Sequence, residues 1–162
     1  MENIILSKNI QAVIGTGILK AHLRICHNHE DEYLKTIIKM ATGIVEAKLA
    51  KSIIIKEYQL SYYPTHSNAH CKIKLPIRNI LNVINVMQGE THIDYVLHRE
   101  YNEISLIPKT YEVPITIHYK AGMSDDIQCI PEELKYKILC VAKNIYDCID
   151  DRQIVEHHHV AL

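Results

Sequence analysis

Two stretches of the chain repeat apolar residues every three to four positions, and between them the period falls to two. In the first stretch Leu34, Ile37, Ile38, Ala41, Ile44, Val45 and Leu49 mark one face of a helix. Asn28 stands before it as an N-cap, with Asp31 three positions on as a short variant of the capping box. Glu30, Asp31 and Glu32 put negative charge where the helix dipole favours it, and Lys48 and Lys51 make the far end basic. In the second stretch Pro131 opens a helix, where its missing N–H costs nothing, and Glu132 and Glu133 follow in the first turn. Its stripe is Leu134, Ile138, Val141, Ala142, Ile145, Tyr146 and Ile149. Asp150 and Asp151 then set negative charge at the negative end of the dipole, which predicts a stop there. These are the only long apolar stripes, so the two helices are expected to pack together through Leu34, Ile38, Ile138, Val141 and Ile145. Gly43 costs about 1 kcal/mol relative to Ala in a helix interior, which suggests close approach of another element, the C-terminal helix first of all. A shorter helix is expected from Ile18 to about Ile25, capped by Thr16 or Gly17, with Leu19, Leu23 and His22 facing inward.

From Ile54 the alternation is that of strands. Tyr58, Leu60 and Tyr62 alternate with Glu57, Gln59 and Ser61, and Cys71, Ile73 and Leu75 alternate with Lys72 and Lys74 up to Pro76. Further strands are expected at Ile80 to Met87, Ile93 to His98 and Glu103 to Ile107, and at Ile115, Ile117 and Tyr119 before Ala121-Gly122. Loops fall at Thr65 to Asn68, at Gln88-Gly89-Glu90 and at Pro108 to Glu112. Helices, then antiparallel strands, then a helix make an α+β chain: N-terminal and C-terminal helices packed together, with one antiparallel sheet between them in sequence. A single domain over 1–162 is expected, with 1–15 and 153–162 flexible. No internal repeat or low-complexity segment is present.

Composition narrows the function classes. The chain has 162 residues, 48% hydrophobic and 23% charged, which is ordinary for a globular protein. A formal net charge of −1 argues against tight sequence-specific DNA binding and against a polybasic membrane anchor. No apolar run is long enough to span a bilayer, and the opening MENIILSKNIQAVIG does not read as a signal peptide. Five cysteines without a CxxC fit free thiols in a reducing compartment, and neither a disulfide nor a metal is expected to be needed for folding.

Candidate chemistry is thin. No Gly-rich nucleotide loop, GxSxG or HExxH occurs. His22, Cys26 and His29 can meet at the first helix end, but zinc needs about four ligands, usually as two close pairs, and the spacing fits no common knuckle. His157, His158 and His159 read as solvated tail. Cys140 and Cys148 lie on a helix, where cysteine acts as a small apolar residue. Cys129 precedes a helix N-terminus, which can activate a thiol, yet no histidine is near it in sequence. Asp125-Asp126 and Asp150-Asp151 read as solvated charges. No catalytic, cofactor-binding or metal residue is assigned, and an enzyme using the Cys and His residues is the weakest alternative.

The ordered set of segments resembles the head–tail connector (adaptor) proteins of long-tailed phages, related prophages and gene-transfer agents. Leu19-Lys20-Ala21-His22-Leu23-Arg24-Ile25 followed by Glu30-Asp31 is similar to the family's short K-x-x-L-R helix and acidic cap, and the long helix ends near Glu46. Leu75-Pro76-Ile77 with Ile80 and Val83, then Tyr95-Val96, then Ile104 and Leu106 match in order. Ile115 to Gly122 (ITIHYKAG) matches its I-x-V-x-Y-x-A-G strand, and Ile130-Pro131-Glu132-Glu133-Leu134 matches its helix start. Tyr146 stands where the last helix closes; Ile149 replaces a common Arg, with Arg152 further round, and the frequent Trp is absent. The resemblance covers about residues 16 to 152.

What the resemblance implies is a structural virion protein at the head–tail junction, made in the bacterial cytoplasm during assembly. It would form a homo-oligomeric ring of about a dozen copies, joining the portal protein to the tail or tail-terminator protein. DNA would pass through the ring without specific binding, and no cofactor or membrane is involved. The segment from Asp150 to Leu162, with Arg152, Ile154 and Val155, would be the portal-docking tail, mobile until bound. A tail-completion or terminator protein of the same particle is the nearer alternative.

Overall fold

The computed structural model describes residues 2–5, 12–63, 72–107 and 114–159, and the side chains of 12–63, 72–107 and 114–148. The loops expected at 65–68 and 108–112, and Cys71, lie outside the described residues. The fold is α+β, and the chain divides into two compact units, Met1–Ile10 with Ala50–Asp125 and Gln11–Leu49 with Asp126–Leu162.

The first unit holds the strands β1 (Glu2–Ile5), β2 (Lys56–Tyr62), β3 (Lys72–Lys74), β4 (Ile80–Gln88), β5 (Thr91–His92), β6 (Asp94–His98), β7 (Glu103–Ile107) and β8 (Ile115–Ala121). They form two antiparallel sheets rather than the single sheet expected, in the orders β1-β2-β8-β4-β5 and β3-β7-β6. The reason is physical. The five-stranded sheet has one apolar face, built from Tyr58 and Leu60 of β2, Val83 and Val86 of β4, and Ile115, Ile117 and Tyr119 of β8, and such a face must be covered. Ile73, Ile104 and Leu106 of the short strands cover it, and all these residues belong to one buried cluster. Pro76 follows β3, so that strand cannot run on into β4. Within the core the rings of Tyr58 and Tyr119, opposite one another in the β2–β8 register, stack with centroids 5.4 Å apart. Residues 2–5, assigned to a flexible end from the sequence, instead form the edge strand β1, which pairs with β2 from Glu2 opposite Ser61 to Ile5 opposite Tyr58.

The second unit holds α1 (Thr16–Leu23), α2 (Asp31–Leu49), a 3-10 turn at Ile127–Cys129 and α3 (Glu132–His159). Helices α2 and α3 pack together, and α1 touches both. Leu19, Leu34, Ile37, Ile38, Ala41, Val45, Leu134, Ile138 and Ala142 are buried. Val141 and Ile145 are half-buried, and His22 is exposed. Three boundaries differ from expectation. Gly15 rather than Thr16 or Gly17 caps α1, its carbonyl accepting from Ile18 N at 3.1 Å; the helix ends on Arg24 in the left-handed region (φ 60). Helix α2 begins after Glu30, whose carbonyl accepts from Leu34 N at 2.8 Å. Asn28 lies two residues before Glu30, and its side-chain oxygen accepts from Lys20 Nζ. Helix α3 does not stop at Ile149 but runs to His159. An aspartate near a C-terminus weakens a helix by only about 0.3–1 kcal/mol, and the stretch from Glu132 to His159 holds no Gly or Pro to break it.

Gly43 also departs from expectation. It is exposed, and a Cβ placed on it meets nothing within 4 Å, so α3 does not approach it. Gly43→Ala should therefore raise stability by about 1 kcal/mol through helix propensity alone. Urea unfolding of the two proteins side by side measures this, and no rise in the midpoint would refute it.

Candidate functional site

The motif residues that carry the resemblance hold together the framework of each unit. In the helical unit, Lys20 of α1 reaches across to Asp31 at the start of α2, Nζ to Oδ1 at 2.9 Å. Tyr146, near the last described side chains of α3, donates its hydroxyl to Glu30 Oε2 at 2.9 Å over a sequence separation of 116 residues. Its ring meets that of Tyr33 at 6.3 Å. Glu30-Asp31 thus looks both ways, Asp31 to α1 and Glu30 to α3. The acidic pair serves as more than a cap, which the sequence reading missed because nothing local marks a contact so distant along the chain.

In the strand unit the motif residues Ile80 and Val83 are followed at the same spacing by Val86, and that spacing has a structural cause. These apolar residues recur every three positions, where a regular strand requires two. Register shifts between Ile80 and Asn82 and between Val83 and Asn85 mark two β-bulges. Each extra residue re-aims the next side chain, so Ile80, Val83 and Val86 are all buried while Leu81 and Ile84 stand exposed. Side chains of the same unit donate to carbonyls of this strand. Arg99 Nη2 donates to the Leu81 carbonyl at 2.7 Å, and Tyr95 Oη donates to that of Val83 at 3.2 Å. The Tyr of the Tyr95-Val96 motif is thereby tied to the bulged strand.

Ala121-Gly122 closes β8 where three segments of the same unit cross. Gly122 N donates to the Asn79 carbonyl at 3.2 Å, Ile55 N to Ser124 at 3.1 Å and Met123 N to Ile53 at 3.2 Å. The Asn79 side chain clasps Ser52 twice, accepting from its N–H at 3.1 Å and donating to its carbonyl at 2.7 Å. Gly122 has φ +157, and a Cβ there would lie 2.3 Å from Ile55 Cα.

The residues considered for chemistry are placed otherwise. Cys26, Cys129, Cys140 and Cys148 are free thiols. Cys129 Sγ lies 3.6 Å from Asp126 Oδ2, and Asp126 Oδ1 accepts from Gln128 N at 2.9 Å. Asp126 is therefore the cap of the 3-10 turn, and it is exposed to solvent. His27 and His29 have ring centroids 5.6 Å apart, yet among the described residues no group of three or more His, Cys, Asp or Glu side chains is placed to hold a metal ion. Among the same residues no helix is long and apolar enough to cross a membrane. The tail residues Arg152, Ile154 and Val155 fall in the last turns of α3, and their side chains lie outside the description. Exposed apolar side chains are spread over both units, among them Met40 and Ile44 on α2, Leu81 and Ile84 on β4, and Val96 and Ile107 on the smaller sheet.

Fold and motif residues together define a small α+β protein whose motif positions are framework contacts rather than a catalytic or metal site among the described residues. The chain belongs to the phage gp6-like head–tail connector family, whose sequence profile matches residues 18–128, well over half of its length. Chains in solved gene transfer agent particles have a similar fold. One, from the neck of an empty particle computed with C6 symmetry, is 17% identical over 91% of this chain and 84% of that one, with a TM-score of 0.70. A chain of the native virion gives the same values. A third, from the neck of a native particle computed with C12 symmetry, is 19% identical over 89% and 83%, with a TM-score of 0.62. No curated protein sequence matches the chain.

Proposed function

We propose that this protein forms a closed ring of about a dozen copies at the head–tail junction. The ring joins the portal to the tail and continues the DNA channel. The observation that carries this reading is the family match over residues 18–128. Solved chains of similar fold from particle necks computed with C6 and C12 symmetry support it. The charge is in keeping with a conduit. Each phosphate neutralised by a cation adds salt-dependent grip on DNA, and a net charge of −1 supplies no such excess. The protein is placed in the virion, after synthesis and assembly in the bacterial cytoplasm, with no catalytic step.

The end of α3 is proposed as the portal-docking element, through Arg152, Ile154 and Val155. The support is its mixture of apolar and charged residues, which a partner surface can cover. Truncation after Arg152 tests this. The shortened protein is expected to melt like the full chain but to fail to co-sediment with purified portal rings. Undiminished co-sedimentation would move the contact to the rest of the chain. Absence of rings in negative stain of the full-length protein, with and without portal, would remove the ring reading itself.

A further inference from the structure

Helix α3 is held unevenly along its length. Leu134, Ile138 and Ala142 are buried, but from Lys143 to Cys148 no residue is. Ile145 and Tyr146 are half-buried there, and the other four residues are exposed. The helix nevertheless runs on to His159, about 20 Å beyond Tyr146 at the usual rise per residue. Over that length a tilt of about 10° at Tyr146 would carry the far end about 3.5 Å sideways. What fixes the helix at Tyr146 therefore fixes where its end points.

Tyr146 is fixed twice. Its ring packs on that of Tyr33, with centroids 6.3 Å apart and planes inclined by 51°. Its hydroxyl donates to Glu30 Oε2 at 2.9 Å. Apolar packing has no preferred direction, whereas a hydrogen bond to a carboxylate is directional and stronger than a neutral one. A phenylalanine at 146 would fill the apolar stripe equally well, so what the hydroxyl adds is the bond to Glu30. The acceptor is itself anchored. The Glu30 carbonyl takes part in the first turn of α2, accepting from Leu34 N, and the neighbouring Asp31 is held by Lys20 of α1. The Glu30 side chain is still 36% exposed, so water can replace the tyrosine without stranding a buried charge. The bond can open and close while the unit stays folded.

We propose that Tyr146 and Glu30 form a clamp that sets the direction of the last turns of α3, Asp147 to His159. The clamp belongs to the free protein. That these turns meet the portal rests on the docking reading above, and for that partner the clamp presents the end of the helix in one pose rather than many.

The test compares full-length Tyr146→Phe, Glu30→Ala and the double variant with the parent, by amide hydrogen exchange and by co-sedimentation with purified portal rings. Each single variant should speed exchange from Asn144 to Arg152 at least about tenfold, the measure of a lost hydrogen bond to a charged group. Leu134 to Ala142 should keep the parent rates. The double variant should exchange no faster than either single one, because the same bond is lost in all three. Parent-like exchange in the single variants would overturn the clamp. So would additive effects in the double variant, or acceleration along the whole of α3, which would make Tyr146 a general packing residue. Tyr146→Phe should also weaken portal co-sedimentation about tenfold, since only a minor share of molecules then holds the binding pose. Undiminished binding by this variant, where truncation after Arg152 abolishes binding, would overturn the presenting role. Binding that survives the truncation would overturn the docking reading instead, and the exchange rates alone then decide the clamp.

Discussion

Gly122→Ala is expected to destabilise the strand unit by about 3 kcal/mol or more, a combination of overpacking and a strained backbone. The added Cβ would lie 2.3 Å from Ile55 Cα and 2.5 Å from Ile55 N. These are backbone atoms with no rotamer in which to escape. Relief would require pulling apart the crossing of 52–55, 79 and 121–124, whose hydrogen bonds run through the same few peptides. The φ of +157 adds its own penalty for any residue with a side chain. Gly17→Ala is the control, because a Cβ there meets nothing within 4 Å and the residue lies in the first turn of α1. Thermal unfolding should show a large drop for the first and little change for the second. Equal melting points would refute the crossing as a constraint.

Ile138→Asp should prevent folding of the helical unit. Ile138 is 0% exposed, on the face of α3 turned to its unit's core. A lone carboxylate there has no water and no cation, and carries a penalty of several kcal/mol, on the order of half a typical domain's stability. Ile138→Val, which removes one methylene, should cost only about 1 kcal/mol and retain the fold. Circular dichroism at 222 nm with a thermal ramp separates the two. A folded Asp variant melting with the parent would show that the packing of α3 does not depend on this position.

The elements of this protein were largely written in local pattern. Period 3.6 placed α2 and α3, period two placed most strands, and the opening Pro131-Glu132-Glu133 fixed the start of α3 to within a residue. These signals are local because a helix or strand needs only one continuous apolar face. The ordered motifs also pointed to the family, since each marks a place where the backbone or a side chain has little freedom.

The tertiary structure decided the rest, at places where the deciding partner lies far away in sequence. The strands divide into two sheets because one apolar face needed another to cover it. The three-residue period of β4 arises from two bulges, and Tyr95 and Arg99 from further along the chain donate to carbonyls of that strand. Asn28 looked like a cap, but Lys20 takes its oxygen, and Glu30 holds Tyr146 across 116 residues. Gly43 and Gly122 are the same residue type with opposite meanings: one stands in open space, the other against a backbone 2.3 Å away. Local sequence can specify that a side chain is missing, but only the packed chain fixes what occupies the space it leaves.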